Sequence, residues 1–411
     1  MTKHDAFAAP KVSEFRNFLL GRFLFIMGLR MLGTLVGWWV YELTNEPFAI
    51  GLIGLSEVIP AVTLALYAGH IIDISEKRKL MLTGVALYFG AVLMLIALST
   101  KISLSMLSSH IIVFLIYIII FFTGILRSFT SPVFNAIMPT TVPKSILQNA
   151  VTWNQGAWLS ASVLGHAGVG FLIVGLGNTG TLIVVAALTV LGFCLLINLP
   201  AKPSLNQLSE KKTLESVKEG LDYVFKTKEL LGALSLDLFA VLFGGAVAMI
   251  PVFARDILCA GPIGFGWLNA AADIGSVIVI ISLTFFPIST KQGKKLMCVI
   301  AGFGASIIIF ALSKIFWISF VALLMSGILD GISMIIRGTI VQLKTPDNMR
   351  GRVLSVNSMF INSSNEFGQF ESGVAAKMMG VIPSVVFGGC MTLLVVSITW
   401  FKAKALREME Y

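Results

Sequence analysis

Twelve apolar stretches, each long enough to cross a bilayer, dictate what this chain can fold into. They cover residues 18–41, 48–72, 80–99, 106–128, 147–174, 181–199, 230–253, 264–287, 295–313, 316–341, 354–378 and 381–401. A hydrocarbon core about 30 Å thick takes about 20 apolar residues of helix. Backbone in lipid must satisfy its own hydrogen bonds, so the stretches are expected to be helices. They are too long and too continuous for the alternating ten-residue strands of an outer-membrane barrel. Composition agrees: 12% of the 411 residues are charged, against about 25% in soluble domains. The expected fold is an all-α polytopic membrane protein with twelve transmembrane helices. The first seventeen residues are mixed and polar, with no small-residue cleavage site, so the first helix is expected to be retained. Cys194, Cys259, Cys298 and Cys390 show no C-x-x-C or metal spacing and read as small core residues.

The formal charge of +9 could suggest a nucleic-acid partner. Its placement says otherwise. Of the 30 Lys and Arg residues, 23 fall at the N-terminus, in even-numbered loops and at the C-terminus, and four fall in odd-numbered loops. Arg30, Arg127 and Arg337 lie inside spans. Positive charge collects on the cytoplasmic side, so both termini are expected there. The charge marks topology rather than a polyanion-binding surface.

The long polar stretch 200–229 divides the chain into residues 1–199 and 230–411, six spans each. It carries Leu214, Val217, Leu221 and Val224 at helical spacing, which predicts a linker with an amphipathic helix lying on the cytoplasmic surface. The halves repeat at an offset of 203 residues. Gly124-Ile125-Leu126 then falls on Gly327-Ile328-Leu329, Pro143 on Pro346, Asn154 on Asn357, Gly165 on Gly368 and Gly170 on Gly373. Matches at Pro, Asn and Gly at one offset point to duplication. Two pseudo-symmetric six-helix bundles are expected, with a site near the bilayer midplane.

Ionisable groups inside apolar spans are costly unless they face a cavity or a partner. Arg30 shares a helix face with Thr34 and Trp38, and an Arg30–Glu57 pair would suit both charges. The eleventh span, VLSVNSMFINSSNEFGQFESG, is the most polar. Its Ser355, Ser358, Asn362, Asn365, Gln369 and Ser372 recur every three or four residues and form one wet face. Glu366 belongs to that face, whereas Glu371 is turned about 140° away and should meet other neighbours. Asp330 and Arg337 are seven apart; a direct contact across two turns is long, so each should have another partner. Arg22 and Asp237, nearest their span ends, are the weakest functional candidates. Each of these groups could instead serve as an intramembrane ion pair holding helices together, and His166 as a hydrogen-bonded neutral core residue.

Four stretches carry a resemblance. Residues 69–79, GHIIDISEKRK, end the second span with Gly69 and Asp73, followed by Lys77, Arg78 and Lys79. That spacing resembles the loop motif between the second and third helices of the major facilitator superfamily. There the aspartate is thought to face the N-terminus of the eleventh helix as a cytoplasmic latch. Residues 15–33, 124–143 and, most closely, 337–374 are similar to the siderophore-exporting branch of that superfamily. The resemblance covers essentially the whole chain. It implies a bacterial inner-membrane exporter with no bound cofactor, driven by a proton gradient. Two departures stand out. Arg127 is followed by Ser-Phe-Thr-Ser-Pro where proton-coupled members continue with Gln-Gly. The fifth-helix segment GHAGVG has His166 where antiporters carry proline, which removes the expected kink. His166 could carry a proton instead.

The expected function is therefore proton-coupled export of a siderophore or an amphipathic drug-like molecule. The alternative is a proton-independent facilitator or importer of a small metabolite. Glu366, Glu57, Asp330, Glu371 and His166 are the proton-coupling candidates. Arg30, Trp38, Arg127, Asn362, Asn365, Gln369 and Arg337 are the substrate-cavity candidates. No H-E-x-x-H, G-x-S-x-G or phosphate-binding loop occurs, so no enzyme is expected. The partners expected are a small molecule and the bilayer, and a monomer suffices.

Overall fold

The computed structural model describes residues 5–201, 213–285, 291–346 and 349–410. Each expected span lies on helix: α1 (Ser13–Thr44), α2 (Pro47–Ile74), α3 (Lys77–Ser99), α4 (Ser109–Ile137) and α5 (Leu147–Leu196). After α6 (Thr213–Lys226) come α7 (Lys228–Phe243), α8 (Gly261–Phe285), α9 (Gln292–Leu312), α10 (Phe316–Lys344), α11 (Arg350–Met379) and α12 (Val381–Lys402).

Ten stretches among the described residues are long and apolar enough to cross a membrane. Two adjustments recover twelve. Helix α5 bends at Gly177, where φ is 68° and ψ is −176°, and so supplies both the fifth and sixth spans. Helix α11, with 30 residues, is long enough but too polar to be counted among the ten. Helix α4 continues nine residues past the apolar run that predicts it. Ser128 and Thr130 there donate to the carbonyls of Gly124 and Leu126, both at 3.0 Å. Hydroxyls satisfied on their own backbone let polar residues continue an apolar helix.

By close contacts the chain divides into two units. One is Met1–Trp39 with Ile59–Glu210; the other is Val40–Val58 with Lys211–Tyr411. The last turn of α1 and the first half of α2 thus belong with the second unit.

Small residues let helices touch in both units, where lipid offers no hydrophobic drive to pack them. In the first, a Cβ on Gly165 of α5 would lie 2.8 Å from the Cβ of Arg30 on α1. Phe25 sits between Tyr88 of α3 and Phe134 of α4, with ring centroids 5.5 and 5.6 Å away. In the second unit α8 and α10 meet backbone to backbone: a Cβ on Gly275 would lie 2.7 Å from the amide nitrogen of Ile328. Helices α7, α11 and α12 pack against one another.

Helix α6 docks on protein. Val224 is buried in the second unit's core, with Leu221 packed against it. Tyr223 donates its hydroxyl to the carbonyl of Lys344 at 2.6 Å, and Glu219 pairs with Arg352 at 2.6 Å. Leu214 and Val217 lie outside the residues whose side chains are described. The four cysteines correct an expectation: all are exposed and free. Small apolar thiols serve equally well on a helix face turned to lipid.

Candidate functional site

Polar groups inside the spans gather into separate clusters, three of them in the second unit. The most buried is built on Arg337 of α10, which forms an ion pair with Asp237 of α7. Arg337 also reaches back along its own helix. Its Nε donates to Ser333 Oγ at 3.1 Å, and its Nη2 stands 3.7 Å from Asp330 Oδ1. Seven residues rise about 10.5 Å on a helix. An arginine can cover that span because its Cα–Cβ bond already tilts toward the helix N-terminus. The expectation of a partner besides Asp330 holds for Arg337, and the direct contact between the two is 3.7 Å. Asp237, rated weak from its place near a span end, is buried at the centre of the cluster.

The wet face of α11 forms the next cluster. Glu366 is buried, and Gln369 Nε2 donates to its carboxylate at 3.3 Å. Asn365 is exposed and donates to the carbonyl of Ile361 at 2.9 Å. Gly54 of α2 fits against this face: a Cβ there would lie 2.9 Å from the Glu366 carbonyl. Asn362 and Ser355 lie outside the residues whose side chains are described.

Residues 40–58 form the third cluster. Tyr41 donates its hydroxyl to Asp256, and the Arg255 guanidinium lies 5.5 Å from the Tyr41 ring centroid. Lys377 of α11 sits 4.6 Å over Phe48, which also meets Phe370 at 6.4 Å. A Cβ on Gly373 would stand 2.7 Å from the Gly51 Cα. Tyr41, Phe48, Arg255 and Asp256 belong to no sequence motif. Glu57 is half-buried and engaged in a further interaction.

The first unit holds two clusters. The buried Arg22 donates to Asn154 at 2.9 Å and to Asn135 at 3.0 Å, tying α1 to α5 and α4 through neutral amides. Deeper in α1, the Thr34 hydroxyl donates to the Arg30 carbonyl at 2.9 Å. His166 Nδ1 lies 2.5 Å from the same hydroxyl oxygen. Arg30 stacks over Trp158 at 5.1 Å. Trp38 is buried and Arg127 half-buried. Arg30 and Glu57 fall in different units.

Residues 6–411 match the protein family described as transmembrane secretion effectors. The chain belongs to this family of major-facilitator transporters. The enterobactin exporter of Escherichia coli O1:K1 is 24% identical over 387 residues, 93% of this chain and 89% of the relative. That of Shigella boydii serotype 18 is similar to the same extent. Among solved structures, the nucleoside transporter NupG aligns at TM-score 0.75 and 13% identity, covering 94% of this chain and 99% of that one. A D-xylose–proton symporter aligns at 0.71 and 15%, covering 98% and 99%. At these identities the likeness shows the fold alone. The chain is thus a membrane-embedded secondary transporter of a small molecule, in a family of transporters and not of enzymes. Among the described residues no group of three His, Cys, Asp or Glu side chains is placed to hold a metal.

Of the superfamily loop motif, Arg78 has a defined place. Its guanidinium donates to the Ile197 carbonyl at 2.7 Å, just past the C-terminus of α5. A cation there meets carbonyls that no helix turn satisfies. Lys77 and Lys79 open α3. Gly69 and Asp73 lie among the residues whose side chains are not described.

Proposed function

We propose that this transporter exports a siderophore or an amphipathic drug-like molecule across the bacterial inner membrane in exchange for protons. One observation carries the coupling: the buried Arg337 is shared by two carboxylates, Asp237 and Asp330. One cation cannot neutralise both acids, and like charges at one site favour protonation of one of them. A proton bound in one conformation and released in the other biases alternating access. Asp330 is the carrier in this cluster. Glu366, buried on the wet face of α11, is the second candidate, followed by Glu57. Export is favoured over import because the curated relatives that align over most of the chain are named exporters.

With both termini cytoplasmic, the α1–α2 turn faces outward. The contacts of Tyr41 with Asp256 and of Gly51 with Gly373 then form an outer gate. Asn365, Gln369 and Glu366, on one face of α11, supply polar contacts for the cargo.

The test is efflux from proteoliposomes under an imposed pH gradient. Asp330→Asn is expected to abolish gradient-driven efflux while counterflow without a gradient persists. Glu366→Gln is expected to slow both. Wild-type flux that ignores the gradient would replace this reading with a facilitator or importer.

A further inference from the structure

Glu371 has no place in the clusters above. The turn of about 140° from Glu366 carries it off the wet face and into a separate cavity of 750 Å³ within the second unit. The walls come from α7, α11 and α12, with Leu221 of α6 at one end. Phe360, Phe367, Phe370 and Phe387 supply aromatic faces, and Met359 and Met378 add thioethers. Ser363, Ser364 and Glu371 are its polar lining residues, and the Ser364 hydroxyl is already spent on the Ile361 carbonyl at 3.0 Å. Glu371 is the cavity's single ionisable group, and no described residue pairs or hydrogen-bonds with it. Phe367, Phe387 and Met378 are exposed, so the mouth is apolar. Apolar side chains so exposed suit hydrocarbon better than water. Glu371 stands eight residues before the end of α11, about 12 Å along the helix.

We propose that this cavity is a laterally open binding site for a lipid-dissolved organic monocation, with Glu371 as its counter-ion. Charge complementarity carries the choice of occupant. A lone carboxylate in an apolar wall is stabilised by a cation that brings no hydration shell, and aromatic faces add cation–π attraction. A metal or ammonium ion would lose too much hydration to enter by this route. An anion, catecholate cargo included, is repelled. The volume suits a ligand of drug size. The site stands apart from the Arg337 cluster, and its occupancy needs no proton gradient.

The test uses the full-length protein in nanodiscs with two probes of one shape and opposite charge, tetraphenylphosphonium and tetraphenylborate. Saturable binding of the phosphonium is expected, with Glu371→Gln weakening it at least tenfold, and no saturable binding of the borate. Unchanged phosphonium affinity in Glu371→Gln, or equal binding of both ions, overturns the proposal. A second measurement needs no variant. The lipid-soluble carbodiimide dicyclohexylcarbodiimide is expected to modify Glu371, read by peptide mass spectrometry, and the phosphonium to protect it. Phosphonium binding without protection would place that ion elsewhere and overturn the assignment. Both measurements are made at equilibrium, so loss of proton-driven efflux leaves them intact.

Discussion

At the scale of single residues, most polar side chains in the spans are held by partners, and the partner's identity sets what a substitution does. Arg22 is bound by two neutral amides, while Arg337 is bound by carboxylates. Removing one member of a buried ion pair leaves a charge in a medium that does not solvate it, at a cost of about 3–5 kcal/mol. Arg337→Met should therefore lower unfolding stability in detergent by about that amount. Asp237→Leu in the same chain should recover part of the loss, since an apolar pair replaces the ion pair while Asp330 still lacks its cation. If the double variant is as unstable as the single one, Arg337 is held by something other than Asp237. From the sequence His166 reads as a hydrogen-bonded core residue or a proton carrier. The contact with Thr34 explains how a ring can be accommodated where a proline is expected: the polar nitrogen has a partner on α1.

At the scale of elements, the helices follow hydropathy, but bends and close contacts follow glycine. Gly177 adopts an extended backbone with positive φ, and a Cβ there would meet nothing within 4 Å. A substitution at this position thus tests backbone conformation without a packing change. Gly177→Ala should cost about 1–3 kcal/mol, seen as a lower thermal midpoint in detergent. An unchanged midpoint would mean that the two rods of α5 are not held at this angle. Helix α11 shows how one element serves several surfaces. Gln369 and Glu366 meet the start of α2, Gly368 lies against the Leu242 carbonyl of α7, and Glu371 faces the side cavity.

At the scale of the whole molecule, the internal repeat gains a structural counterpart. The offset of 203 residues places Phe134 on Arg337. In the first unit the buried Arg22 of α1 lies 5.6 Å over Phe134 of α4; in the second the buried Asp237 of α7 pairs with Arg337 of α10. Each repeat keeps a contact between its first and fourth spans, with different chemistry. Two predictions belong here, both in a background with the four exposed cysteines replaced by serine. Tyr41→Cys with Asp256→Cys, at the positions whose side chains meet, should be joined by a bismaleimide cross-linker and stop transport. Full transport while cross-linked would rule out an outer gate at this contact. Lys101→Cys should react with an impermeant thiol reagent in intact cells, and Lys294→Cys only after permeabilisation. The reverse pattern would invert the proposed topology.

The sequence by itself determined the helices. An apolar run in lipid has one way to satisfy its backbone, so length and hydropathy were enough, and α11 was recognisable even though its wet face excludes it from an apolar count. The repeat was legible too, because Gly, Pro and Asn are tied to backbone geometry and stand out in apolar sequence. Only the tertiary structure decided which charges meet. Asp237 and Arg337 are 100 residues apart, and no spacing rule connects one span to another. Proximity to a span end made Asp237 look dispensable, and helix packing buried it against Arg337. The division between Glu366 and Glu371 was half legible: helical geometry separated their faces, but the cavity on the second face is made by α7 and α12, whose approach depends on contacts distributed over three helices.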